Sequence, residues 1–176
     1  TKPDSKHQNN KPPLHVWRGN KGYKLTTIVY NHKKNEIAVD GRVTSEGTIL
    51  TDSHDKSHTS GDRVYFLTGN ISDHPRVIEI LDKYENGDKV TVGSEIKASV
   101  VFAQGGAAYI GAIDPAGDVW ISKVEFNDGG GSGHHWALAA LDHGLTTRQA
   151  VKYASERDAF TGGKIQVFNV TKHKFN

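Results

Sequence analysis

The run Thr26-Thr27-Ile28-Val29-Tyr30 places two hydroxyl residues ahead of β-branched and aromatic ones. That composition predicts a strand with threonine at its start. The downstream chain then supplies an acid at Asp40, a lysine at Lys56, a Gly-Ser-Gly turn at 131–133 and a second acid at Asp158. Those are the parts that could activate a threonine hydroxyl, which is a poor nucleophile near neutral pH and needs an adjacent base.

The strand has a partner close by. Residues 36–39 form a second apolar run, joined to the first by His32-Lys33-Lys34-Asn35 and closed by Asp40-Gly41, which predicts a hairpin. Residues 42–60 are polar except for Ile49-Leu50, and 63–68 is a dense apolar strand. Ser72 is placed to cap a helix with Pro75 in its first turn and Val77, Ile78 and Leu81 at helical spacing, ending near Asn86-Gly87. Three more strands are predicted at 96–103, 107–113 and 119–124, the last two joined by the turn Asp114-Pro115-Ala116-Gly117. Residues 129–133 read as a glycine-rich loop leading to an apolar helix over 136–141. A second helix starts at Thr146, with Gln149 completing a capping box and Ala150, Val151 and Ala154 on its inner face. A final strand covers 165–170. The order β-β-β-α, three strands, α-α-β fits a four-layer αββα sandwich of the α+β class. Two antiparallel sheets would stack, each covered outside by a helix pair, with the 72–85 helix on the face opposite the two late ones.

Composition narrows the function. The 176 residues carry a net charge of +2, with 35% hydrophobic and 24% charged residues, as expected of one globular domain. No basic stripe with interleaved aromatics supports nucleic-acid binding. With no cysteine, thiol catalysis and cysteine-ligated zinc are excluded. His54 and His58 lie four apart and His134-His135 open a helix, but no carboxylate is spaced to complete a zincin motif, so neither metal nor cofactor is expected. No run is long enough to span a membrane, and a cytoplasmic location is the default expectation. Residues 1–25 hold six lysines and arginines against the single acid Asp4, and predict a flexible basic extension or a propeptide. A domain over 26–170 and a short basic C-terminal tail over 171–176, expected to be frayed, complete the organisation.

From Thr26 to Val170 these pieces resemble, in order, proteasome β-type subunits and the bacterial ATP-dependent proteasome-like peptidase. Thr26-Thr27-Ile28-Val29 is similar to the family's mature N-terminus, Asp40-Gly41 to the acid-Gly pair after its second strand, and Lys56 to its active-site lysine. Thr68-Gly69 with Ser72-Asp73, Asp114-Pro115 with Gly117, and Gly131-Ser132-Gly133 follow in sequence. The most specific match is Arg157-Asp158-Ala159-Phe160-Thr161-Gly162-Gly163.

The resemblance implies an N-terminal-nucleophile hydrolase, a threonine-type endopeptidase acting on unfolded polypeptide. It implies Thr26 as nucleophile, and Asp40 holding Lys56 charged beside it. Ser132, Asp158 and Thr161 would orient the terminal amine, and the amides of Gly131 and Gly133 would stabilise an oxyanion. It further implies a homo-oligomeric ring, fed by an ATP-dependent unfoldase. Each residue also has an ordinary reading: Asp40-Gly41 as a turn, Lys56 as a solvated lysine, 129–133 as a linker, and Arg157-Asp158 as a helix-end pair. Thr26 follows Lys24-Leu25, and an amide nitrogen there has no lone pair to accept a proton. Activity by the terminal amine therefore requires removal of residues 1–25. The alternative is a catalytically inactive protein of the same fold with a structural or assembly role.

Overall fold

The computed structural model describes residues 26–96 and 98–176, so the extension expected over 1–25 lies outside the described residues. β1 (Thr27–Asn31) and β2 (Glu36–Asp40) form the expected hairpin. β3 (Val43–Ser45) and β4 (Thr48–Thr51) make a small separate ribbon. β5 (Ser57–Ser60), β6 (Arg63–Gly69), β7 (Ala98–Gln104), β8 (Ala107–Ile113) and β9 (Val119–Lys123) are an antiparallel meander. α1 (His74–Lys83) lies between β6 and β7 in the chain. β10 (Asp128–Gly131), α2 (His134–Asp142), α3 (Thr147–Arg157), β11 (Ile165–Asn169) and β12 (Lys174–Phe175) follow. The second five-stranded antiparallel sheet has the order β10-β1-β2-β11-β12.

Alternation along the strands builds the layers. Ile28 and Tyr30 of β1 point to the space between the sheets, where they meet Ile37, Val39 and Phe168 from their own sheet and Val64, Phe66 and Val101 from the other. Val29, between them in sequence, faces the opposite way, with Ala38 and Val167, onto α2 and α3. The helices answer with Ala137, Ala140, Ala150 and Ala154, small residues that let two helices lie close on one sheet. On the meander, Tyr65 and Leu67 turn outward to Val77, Ile80 and Leu81 of α1. The result is the expected αββα sandwich, with α1 opposite α2 and α3. The capping box at Thr146 is present in both directions, Thr146 Oγ1 accepting from Gln149 N and Gln149 Oε1 from Thr146 N.

Five details differ from the sequence expectation. Ser72 does not cap α1: it lies in a 3-10 turn over Ile71–Asp73, and the N-cap residue is Asp73, which makes no side-chain cap hydrogen bond. The glycine-rich segment is not a loop but the edge strand β10, paired with β1. The segment 42–60 contains the β3–β4 ribbon and β5, whose Ser57-His58-Thr59-Ser60 has no apolar alternation to announce it. The outer face of the meander is covered by α1 alone among the described residues. Tyr84, Val90, Val92 and Ile96 of the following loop pack where a second helix was expected. The tail is tied down, since β12 pairs with β11 and Phe175 sits edge-on to Phe168 with ring centroids 5.1 Å apart. Among the described residues, no helix is long and apolar enough to cross a membrane.

Phe66 is fully buried between the sheets, 5.6 Å from the Phe168 ring. Phe66→Ala is expected to lower the free energy of unfolding by about 3–5 kcal/mol. Phe126→Ala, at a side chain 78% exposed, is expected to change it by less than about 0.5 kcal/mol. Urea titration of both variants checks whether the inter-sheet layer is the main core.

Candidate active site

Thr26 immediately precedes β1, and β1 is central enough in its sheet that Thr26 and Thr27 are both buried. Asp40 ends the neighbouring β2, and Lys56 immediately precedes β5 on the facing sheet. Chain positions 14 and 30 residues beyond Thr26 (40 − 26 and 56 − 26) are thereby drawn to one point. Lys56 Nζ donates to Thr26 Oγ1. It also donates to Asp40 Oδ1 at 3.2 Å and to the Arg42 carbonyl at 2.6 Å. Asp40 is 0% and Lys56 3% exposed, so the pair is screened from water and its geometry is over-determined by protein donors.

Asp40 collects a set of donors rather than a single partner. Its Oδ1 accepts from Thr27 N at 2.9 Å, and its Oδ2 from Gly162 N at 2.8 Å and Arg42 N at 3.2 Å. Burial pushes the Asp40 carboxyl above the usual range, opposed by the Lys56 charge and by the amides of Gly162 and Thr27. Burial likewise pulls the Lys56 ammonium below the usual lysine range, opposed chiefly by Asp40. A lysine so placed is easier to deprotonate than a solvated one.

The other predicted site residues form a second network on the opposite side of β1. Asp158, after α3, accepts from Ser132 Oγ and from Thr161 Oγ1, each at 2.5 Å. Thr161 Oγ1 is in turn 2.7 Å from Thr27 Oγ1. The two networks meet at residue 27: Asp40 holds its amide, while Thr161 holds its hydroxyl. Ser132 N donates to the Thr26 carbonyl at 2.9 Å, fixing that peptide from the β10 side.

Gly131 and Gly133 are required here for close approach. Gly131 has φ of +93°, and a Cβ on it would lie 1.7 Å from the Thr26 carbonyl oxygen. A Cβ on Gly133 would lie 2.4 Å from Thr27 Oγ1 and 2.7 Å from Thr161 Oγ1. Both glycines therefore back the threonines, and neither lines the cleft beside Thr26. That cleft is bounded by Val43, Lys56, Leu67, Thr68, Gly69, Ile71 and His74. Gly131 and Gly133, expected to stabilise an oxyanion, thus sit behind the threonines, while Thr68 and Gly69 at the end of β6 are among the residues lining the cleft.

Two contributors were missed in the sequence. Thr27 was read only as a strand residue, and its role depends on partners 134 positions away. Arg42 pairs with Asp52 at 2.7 and 3.2 Å, and donates to the carbonyls of Ala159 at 3.1 Å and Thr161 at 3.4 Å. Its guanidinium lies against Gly162, where a Cβ would come within 2.5 Å of Cζ. It thus ties the 159–162 turn to the strand that carries Asp40. The Asp52 bond raises the Arg42 pKa, and Arg42 holds the Asp52 carboxyl below its usual range. Among the described residues, no group of three or more His, Cys, Asp or Glu is arranged to hold a metal ion.

No family model and no curated protein matches the chain. Solved structures do. The chain is similar to HslV from Trypanosoma brucei at 20% identity and a TM-score of 0.60, covering 81% of this chain and 97% of that one. It is similar to BPH of Thiobacillus denitrificans, solved in complex with epoxomicin, at 16% identity and a TM-score of 0.60, again covering 81% and 97%. At these identities the likeness establishes the fold. It is the fold that the resemblance to proteasome β-type subunits implied.

Gly133→Ala is expected to destabilise the protein by about 1–3 kcal/mol, because the methyl must displace hydroxyls held on both sides. Gly93→Ala, where a Cβ would meet nothing within 4 Å, is expected to be neutral or slightly stabilising. Thermal melts of the two variants make the comparison.

Proposed function

We propose that the protein is a threonine peptidase of the proteasome β type, with Thr26 as nucleophile once residues 1–25 have been removed. The observation that carries this reading is the contact of Lys56 Nζ with Thr26 Oγ1 in a buried cluster with Asp40. A lysine buried against a threonine hydroxyl and a carboxylate has little structural purpose that an apolar side chain would not serve as well.

In the proposed reaction, Thr26 Oγ attacks the peptide carbonyl carbon and gives up its proton to a nitrogen. Two nitrogens suit that task. A chain beginning at Thr26 has an α-amine with a reference pKa of about 8, and Lys56 already touches the hydroxyl. The C–N bond breaks, the leaving amine takes the proton, and the acyl group remains as an ester on Oγ. Water then hydrolyses the ester and restores the hydroxyl. Asp40 keeps Lys56 in place and tunes its charge. Ser132, Asp158 and Thr161 act through Thr27 and the Thr26 carbonyl to fix the first two residues, and are positioning residues for the terminal amine. Amides bordering the cleft at Thr68 and Gly69 are better placed than those of Gly131 and Gly133 to stabilise the oxyanion.

The reading carries further proposals about context. The substrate is unfolded polypeptide, the assembly is a closed homo-oligomeric ring, an ATP-dependent unfoldase supplies the chain, and the location is the cytoplasm. Ring closure would keep a broad-specificity peptidase from folded proteins, and a stable monomer in sedimentation would contradict it.

For the form beginning at Thr26, Thr26→Ala is expected to abolish peptide hydrolysis while leaving the melting curve within a few degrees of the parent. Lys56→Ala is expected to lower kcat about 10²-fold or more, the range for a positioned acid–base group. With Lys56 as proton acceptor, kcat/KM rises with pH and levels off below the ordinary lysine range. Asp40 raises the Lys56 pKa, so Asp40→Asn is expected to move that rise to lower pH. Hydrolysis that persists in Thr26→Ala overturns the nucleophile assignment. A rise that moves to higher pH in Asp40→Asn overturns the role given to Lys56.

A further inference from the structure

The cleft beside Thr26 has apolar walls at Val43, Leu67 and Ile71, and its polar lining beyond Thr26, Lys56 and Thr68 is His74. His74 is the first residue of α1 and is 3% exposed. Among the described residues, neither ring nitrogen finds a hydrogen-bond partner. The Thr68 carbonyl lies near enough to favour the protonated ring but does not bond it in acceptable geometry. The His58 ring, on β5, meets it edge-on with centroids 6.2 Å apart, and stacking leaves the nitrogens unserved. Native proteins pair nearly all their buried polar atoms, so an unpaired imidazole in the wall of a cleft points to a ligand group.

We propose that this cleft receives the side chain of the residue whose carbonyl Thr26 attacks, and that His74 selects there a short, uncharged polar side chain, a carboxamide such as asparagine's. The inference rests on the peptidase reading for the identity of the attacked bond. The surroundings of the ring fix the chemistry. Burial, reinforced by His58 and His54 and opposed by Thr68 and Asp73, lowers the His74 pKa to about 4, so the ring is neutral at physiological pH. A neutral imidazole presents one N–H donor and one acceptor nitrogen, and a carboxamide carries both complementary groups, so it can serve either tautomer. An apolar side chain of the same shape would leave the ring unpaired, a mismatch that discriminates more strongly than a missing methylene does. A carboxylate would be buried against a neutral ring, because Lys56, the one cation lining the cleft among the described residues, is already bonded to Asp40 at 3.2 Å. Leu67, also lining the cleft, is fully buried and offers an apolar wall to the rest of the side chain.

Binding tests this without turnover. Blocked tripeptide amides identical except for Asn, Leu or Asp at the last position are titrated calorimetrically into the full chain. The Asn peptide is expected to bind at least about tenfold tighter than the Leu and Asp peptides. His74→Leu is expected to reverse the order of Asn and Leu, and His74→Gln, which keeps a hydrogen-bonding end, to preserve it. Should His74→Leu not fold, the parent and His74→Gln decide. A Leu or Asp peptide bound as tightly as Asn overturns the inference. So does an order unchanged in His74→Leu, or no binding of any of the three. If the Asn preference holds while the Thr26 hydrolysis test fails, the subsite stands and the peptidase reading alone is lost.

Discussion

A single buried carboxylate organises the region around the first strand. Asp40 accepts from the amides of Thr27, Arg42 and Gly162 and from the ammonium of Lys56. Those four donors come from β1, from the start of the β3–β4 ribbon, from the turn before β11 and from the facing sheet. An isolated carboxylate at that depth would be strongly disfavoured, and removing any one donor leaves the others facing an under-satisfied anion. Burial has the opposite effect on the two charges, raising Asp40 and lowering Lys56, so each is needed to keep the other ionised. Burial, opposed by this pairing, is what leaves Lys56 easier to deprotonate than a surface lysine.

The sandwich exists in a form that allows this convergence. Packing the two sheets through Ile28, Tyr30, Phe66 and Phe168 sets β1 of one against β6 of the other. Lys56, just ahead of β5, is held in register because its carbonyl accepts from Leu67 N on β6. On the far side of β1 the glycine-rich β10 comes close enough for Ser132 N to reach the Thr26 carbonyl, which any side chain at Gly131 would prevent. The threonines are therefore fixed from three directions: by Asp40 and Lys56, by the Asp158–Thr161 pair, and by β10.

The densely apolar strands were legible in the sequence, because a sheet covered by the other sheet on one face and by helices on the other reads as a continuous apolar run. β1, β2, β6, β7, β8 and β11 are of that kind, and the helix at 147–157 was legible through its capping box. β10 was not, because glycines carry no side-chain pattern; β5 was not, because Ser57-His58-Thr59-Ser60 is polar on both faces. The second helix expected over the meander is absent among the described residues, where Val90, Val92 and Ile96 pack from the irregular segment between α1 and β7. Thr26, Asp40, Lys56, Ser132, Asp158 and Thr161, which the structure brings together around β1, were singled out through resemblance and order. Arg42 and Thr27 were not, since what distinguishes them is contact with residues more than a hundred positions away. The unpaired ring of His74 could be seen only once its surroundings were known.

The central claim is that Thr26 Oγ is the reactive atom of this site. The most direct measurement is peptide mapping by mass spectrometry after the form beginning at Thr26 reacts with a peptide β-lactone, whose ring opens to leave an acyl ester on the attacking oxygen. The expected result is a single adduct on Thr26 that is absent from the Lys56→Ala variant under the same conditions. An adduct on any other residue, or a Thr26 that stays unmodified while the protein hydrolyses peptides, would contradict the account.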